Sequence, residues 1–96
     1  MDEATRNALA DALELLADQQ VWNCELWHRC YDLVTANADD ELVGYMADDL
    51  IHYSGRPLFR REPRPKDLQR YRQGFRDFAA ALRERLSLSE YRRRYE

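Results

Sequence analysis

A chain of 96 residues and 11.5 kDa has room for one domain, because a core of this size buries only about two-thirds of the unfolded surface. Apolar residues at 45% and charged residues at 34% place it among folding sequences, and three Gly with three Pro exclude collagen-like and low-complexity architectures. The formal net charge is −3, no apolar run reaches the roughly 18 residues of a membrane span, and the acidic start MDEATRN is the reverse of a secretory leader, so one cytoplasmic domain over residues 1–96 is expected.

Residues 1–43 contain neither Gly nor Pro. At 100° per residue Leu9, Ala12, Leu13 and Leu16 share a face, and Leu26, Trp27, Cys30, Tyr31 and Val34 fall on the same face when the phase runs straight through. This favours one continuous helix over about residues 3–36, with Gln20 and Asn23 interrupting the stripe near Gln19–Asn23, where it would otherwise break in two. An unbroken helix of that length measures about 50 Å, against a radius of gyration of about 12–13 Å for a compact chain of this size. It would project, expose Leu9, Leu13 and Leu16 in a monomer, and so predicts a homodimer or a dedicated partner.

Asn37-Ala38-Asp39-Asp40 has turn and N-cap chemistry and leads into a helix over about 40–53, with Leu42, Val43, Met46, Ala47 and Leu50 on its apolar face and Ser54-Gly55 as its stop. Residues 54–65, SGRPLFRREPRP, form an extended basic connector in which Pro57, Pro63 and Pro65 disfavour helix. From about 66 to 86 the helical period returns: Leu68, Tyr71, Phe75, Phe78, Ala79, Leu82 and Leu86 lie within about 50° of one direction. Ser87-Leu-Ser-Glu90 reads as a capping box for a short last helix over about 88–95. No segment alternates with a period of two, so the expected fold class is all-α, a small helical bundle.

The net charge conceals a polarised chain. Residues 1–53 sum to −10 and residues 54–96 to +7, and fourteen of the fifteen basic residues are Arg, the exception being Lys66. Such asymmetry implies either an anionic partner for the basic half or neutralisation within the fold or a dimer. Asp11, Glu14, Asp18, Glu25 and Asp32 lie outside the apolar stripe, within reach of an Arg-rich segment.

Glu25-Leu-Trp-His28 and Asp49-Leu-Ile-His52 repeat the carboxylate–x–x–His spacing of dinuclear metal bundles. Both pairs fall on the polar sides of their helices, however, and bundle-core ligands must point inward. Cys24, His28 and Cys30 point in different directions from one helix and lack a second Cys pair, so they do not form a zinc knuckle. Cys30 lies on the apolar stripe and reads as a core residue. Neither His adjoins a nucleophile backed by a carboxylate, and Gly44, Gly55 and Gly74 are isolated, so no catalytic set or phosphate loop emerges. No enzyme activity, metal or cofactor is expected.

Arg56, Arg60, Arg61, Arg64 and Lys66, continued by Arg70, Arg72 and Arg76, could track phosphates, with Phe59 and Tyr71 to stack on bases. A pI near 5.4 argues against a dedicated nucleic-acid domain. Trp22 together with the C-terminal YRRRY could form a docking surface, although a tail folded onto the bundle is the simpler reading.

The sequence therefore points to a non-catalytic protein–protein interaction module that dimerises, or that regulates or sequesters a protein partner, as inhibitors, immunity-type proteins and adaptors do. Arg56, Phe59, Arg60, Arg61, Arg64 and Trp22 are the expected partner-binding residues. The first alternative is a nucleic-acid-associated regulator using residues 56–76. The second is a metal-binding bundle using Glu25, His28, Asp49 and His52.

Overall fold

The computed structural model describes residues 1–19, 23–53 and 65–96, without the side chains at 49–53, 65, 67 and 68. Five α-helices and no strand occur among the described residues: α1 (Glu3–Asp18), α2 (Cys24–Ala36), α3 (Glu41–Tyr53), α4 (Pro65–Arg83) and α5 (Leu88–Tyr95). The all-α expectation is thus met. The Ser54-Gly55 stop and the connector lie outside the described residues up to Arg64.

The expected continuous helix over 3–36 does not form. Asp2 caps α1 by accepting from the Thr5 amide at 2.7 Å, and the helix ends at Asp18, after which Gln19 turns extended with ψ of 135°. Asn23 then caps α2 through its side chain, which accepts from the Leu26 amide at 3.0 Å. The Gln19 side chain accepts from the Asn23 amide at 2.8 Å and ties the two ends together. Polar side chains at the interruption thus supply the caps that two shorter helices need. The longest dimension of the molecule is 31 Å, well short of a projecting 50 Å rod. Leu9, Leu13 and Leu16 are fully buried within the chain. The projecting-helix argument for a homodimer therefore lapses.

α1 packs against both α2 and α4, while α3 touches α2, α4 and α5. The core joins Leu9, Leu13 and Leu16 of α1 to Trp27, Cys30 and Val34 of α2, Val43 and Met46 of α3, and Phe75, Phe78 and Leu82 of α4. Trp27 stacks on half-buried Tyr31 at 5.0 Å between centroids. The α2–α3 turn is held by the Asn37 side chain, which donates to the Leu33 carbonyl at 2.8 Å. Asp40 Oδ1 accepts from the amides of Leu42 and Val43, so α3 begins one residue later than the pattern suggests.

α4 also ends earlier than residue 86. Its Leu86 amide donates to the Ala81 carbonyl at 3.0 Å and its Arg85 amide to the Leu82 carbonyl at 3.2 Å, the two bonds of a Schellman motif. Arg85 occupies the left-handed position with φ of 56°, where glycine is usual. Leu86 still packs on the core, as the hydrophobic residue of that motif rather than as the last turn of the helix. The capping box at Ser87 and Glu90 is present in both directions, each bond at 3.1 Å.

Burial has a chemical consequence at Cys30. This side chain is 1% exposed, and desolvation of its thiolate pushes the pKa up to about 12. Cys24 is partly exposed, and both thiols are free. Because the thiolate is the reactive form, the native protein should react with Ellman's reagent at a single cysteine, Cys24. Cys30 should react only on addition of denaturant. Two equally fast equivalents in the native state would contradict this packing.

Candidate functional site

The charges of α1 and α4 meet along the contact between these helices. Arg83 donates from Nε to Glu14 Oε1 at 2.7 Å and from Nη2 to Glu14 Oε2 at 3.0 Å, and also to Asp11. Arg76 pairs with Asp18 at 3.6 Å, and Arg85, just beyond α4, pairs with Glu3. The expected complementarity between acidic and basic halves is thus realised within one chain at Asp11, Glu14 and Asp18. Glu25 and Asp32, by contrast, are exposed on α2 and have no ion-pair partner among the described residues.

Arg72 acts differently. α1 carries Asp18 in its last turn and no basic residue, the wrong sign for a helix C-terminus. Arg72 Nη2 donates to the Gln19 carbonyl at 2.6 Å, so α4 supplies the cation that α1 lacks. Arg72 Nε and Gln19 Nε2 are buried without hydrogen-bond partners.

The Glu14 carboxyl is held below its ordinary 4.5, chiefly by its hydrogen bond from Arg83, and Glu3 below the same value by its bond from Arg85. Such carboxylates stabilise the fold above their unfolded pKa, and the contribution is lost as pH falls through their lowered folded values. Stability should therefore decline progressively below about pH 4.5, as followed by helical circular dichroism. Arg83→Ala should cost only about 0.5–1 kcal/mol at neutral pH, since these pairs face solvent, and should flatten the acid limb of the titration. An unchanged acid limb would contradict the Arg83–Glu14 linkage.

A shallow groove of about 360 Å³ lies over this contact, lined by Glu14, Asp18, Arg76, Ala80 and Arg83. Its charged walls are already paired across the groove, which leaves no group poised as base or nucleophile. Away from the groove, Tyr91 is 5% exposed, with ring centroids 5.3 Å from Phe78 and 5.9 Å from Tyr45. The Tyr45 hydroxyl contacts Glu96, Arg92 sits over the Tyr45 ring, and Arg94 pairs with Glu84 at 2.6 Å. The YRRRY tail therefore folds onto the bundle.

The expected partner-binding residues Arg56, Phe59, Arg60, Arg61, Arg64 and Trp22 lie outside the described residues. Of the basic run that follows them, Arg72 and Arg76 turn to α1 and Tyr71 packs half-buried against the core. Within the described part of the 56–76 segment named in the nucleic-acid alternative, two of the basic side chains are thus engaged with α1. Lys66 and Arg70 remain exposed, without ion-pair partners among the described residues.

Glu25 and His28 face solvent on α2, and the side chains of Asp49 and His52 lie outside the description. Among the described residues no three His, Cys, Asp or Glu side chains converge. Sequence reasoning overlooked Arg85, whose left-handed backbone has no marker in a segment without glycine, and Tyr45, whose ring seats α5. No described helix is long and apolar enough to cross a membrane. No protein-family model matches the chain, and comparison with curated proteins and with solved structures finds no match.

Proposed function

We propose that this protein is a non-catalytic helical interaction module that docks on an acidic protein surface, or on its own kind, and so regulates or sequesters its partner. One observation carries this reading. The arginines of α4 that face α1 each bond or pair with that helix or its C-cap, whereas Lys66 and Arg70 are exposed and have no ion-pair partner among the described residues. These two cations adjoin Arg56, Arg60, Arg61 and Arg64 in sequence, so six of the chain's basic residues gather at one stretch. Exposed charge of one sign steers association with surfaces of the other, and arginine with aromatic neighbours suits a protein interface. Glu25, Asp32, Asp39, Glu41 and Asp48 face solvent elsewhere and keep the whole molecule negative, so the basic stretch would serve to orient an encounter rather than to attract anions over the whole surface.

The test is a photo-cross-linking amino acid at position 59, used in the native cells with and without R60E/R61E. A protein adduct that disappears on charge reversal is the expected result. Nucleic acid recovered instead, with retention falling steeply with salt, would favour the nucleic-acid alternative. No adduct sensitive to R60E/R61E would overturn the docking stretch.

A further inference from the structure

The turn between α4 and α5 holds two competing local signals. Arg85 stands in the left-handed region at φ of 56°, where a side chain is strained and glycine is not. Its neighbours Glu84 and Leu86 are strong helix formers, and residues 75–96 contain neither Gly nor Pro. Against continuation stand the two Schellman bonds and the Ser87–Glu90 capping box. Returning Arg85 and the extended Ser87, whose ψ is 165°, to right-handed helical backbone would relieve the strain at Arg85 and fuse α4 and α5 into one helix over 65–95, about 46 Å long.

In that fused helix the phase decides where α5 goes. At 100° per residue Leu88, Tyr91 and Tyr95 point about 160° away from Phe75, Leu82 and Leu86. The segment would extend about 18 Å beyond Arg83, with its apolar face turned from its own core. The seat it leaves is specific: Phe78 and Tyr45 receive Tyr91, Tyr45 meets Glu96, and Arg92 covers the Tyr45 ring. The group that fits this seat best is another α5.

We propose that α5 exchanges reciprocally between two copies of this chain, with the turn from Arg85 to Ser87 as the hinge. Each α5 seats Tyr91 against the Phe78 and Tyr45 of the other copy. Short strained hinges favour such exchange, and a twofold swap closes without leaving edges for further growth. The proposal gives the self-association in the docking reading a definite structure, and rests on that reading only for its biological use.

The experiment measures dimerisation of the full chain by light scattering up to high protein concentration. The wild type is expected to form a dimer that dissociates slowly on dilution. R85G favours the left-handed turn and penalises the fused helix, so it should weaken dimerisation at least about tenfold. S87A/E90A removes the capping box and should strengthen it about fivefold. A Y45C/E96C variant in a C24S/C30A background, treated with a short bismaleimide, should yield a dimer linked between chains. Circular dichroism checks that each variant is folded. Wild type and S87A/E90A that both stay monomeric, or a dimer whose cross-links remain within each chain, would overturn the exchange. A monomer that still cross-links a foreign protein from position 59 would overturn the exchange and leave the docking reading standing.

Discussion

Gly44→Ala should destabilise the protein by about 2 kcal/mol in a urea melt, although alanine is the better helix former by about 1 kcal/mol. Gly44 lies in the first turns of α3, and a Cβ there would come within 2.7 Å of the Ala38 carbonyl oxygen. That oxygen cannot withdraw cheaply. The Asn37 amide bonds the Val34 carbonyl at 3.2 Å, the Asp40 amide bonds the Asn37 carbonyl at 3.1 Å, and the Gly44 amide bonds the Asp40 carbonyl at 2.8 Å. The Asn37 side chain adds its bond to Leu33. Accommodating a methyl group means moving the turn away from α3 and lengthening several of these bonds together. The sign decides the matter: a Gly44→Ala variant as stable as wild type would show that the turn and α3 do not approach so closely.

Gly44 also shows what periodicity leaves out. The apolar pattern marks which residues face inward, and it correctly assigns Leu9, Leu13, Leu16, Trp27, Cys30, Val34, Met46, Phe75, Phe78 and Leu82 to the core. It reports nothing about how closely two backbones approach, so Gly44 reads only as an isolated glycine. The same limit produced the error at α1 and α2. Two helices that turn their stripes to one core can keep a common phase by accident of loop length, so a preserved phase does not establish a continuous helix. The local evidence was in the side chains. Gln19 and Asn23 are cap chemistry, and Asn23 bonding the Leu26 amide ends the ambiguity. At the other end Ser87 and Glu90 announce their capping box in the sequence, whereas Arg85 gives no sign that it takes the position of a glycine.

The candidate site was legible to a different degree. Charge totals reveal polarity but not pairing, because pairing needs the helix positions. Arg83 between Asp11 and Glu14 is separated from them by about seventy residues, and only the α1–α4 packing brings them together. Once these pairs are formed, Lys66 and Arg70 remain exposed without ion-pair partners among the described residues, next in sequence to the arginines before them. Glu25 and His28 illustrate the converse: the spacing suggested ligands, the helical wheel placed them outside, and they do face solvent.

Phe78→Ala should have the larger effect, a loss of about 4 kcal/mol by denaturant or thermal unfolding. Phe78 is fully buried on α4, within reach of the Tyr91 ring. Removing it costs both the transfer free energy of the ring and the contacts around the cavity left behind, and the relaxation open to a helix packed on α1 and α3 is small. For a domain of this size, with total stability of about 5–15 kcal/mol, that is a fall in Tm of about 15–30 °C. Leu15, which is 56% exposed on α1, provides the contrast: Leu15→Ala should change stability by less than about 0.5 kcal/mol. Coupling to α5 gives a second readout. Tyr91→Ala empties the same region from the other side, so Phe78→Ala/Tyr91→Ala should cost less than the sum of the single losses by about 1 kcal/mol. Strict additivity would mean that the two rings do not share a cavity, and that α5 is held by its charges and Tyr95 rather than by Tyr91 seated on Phe78.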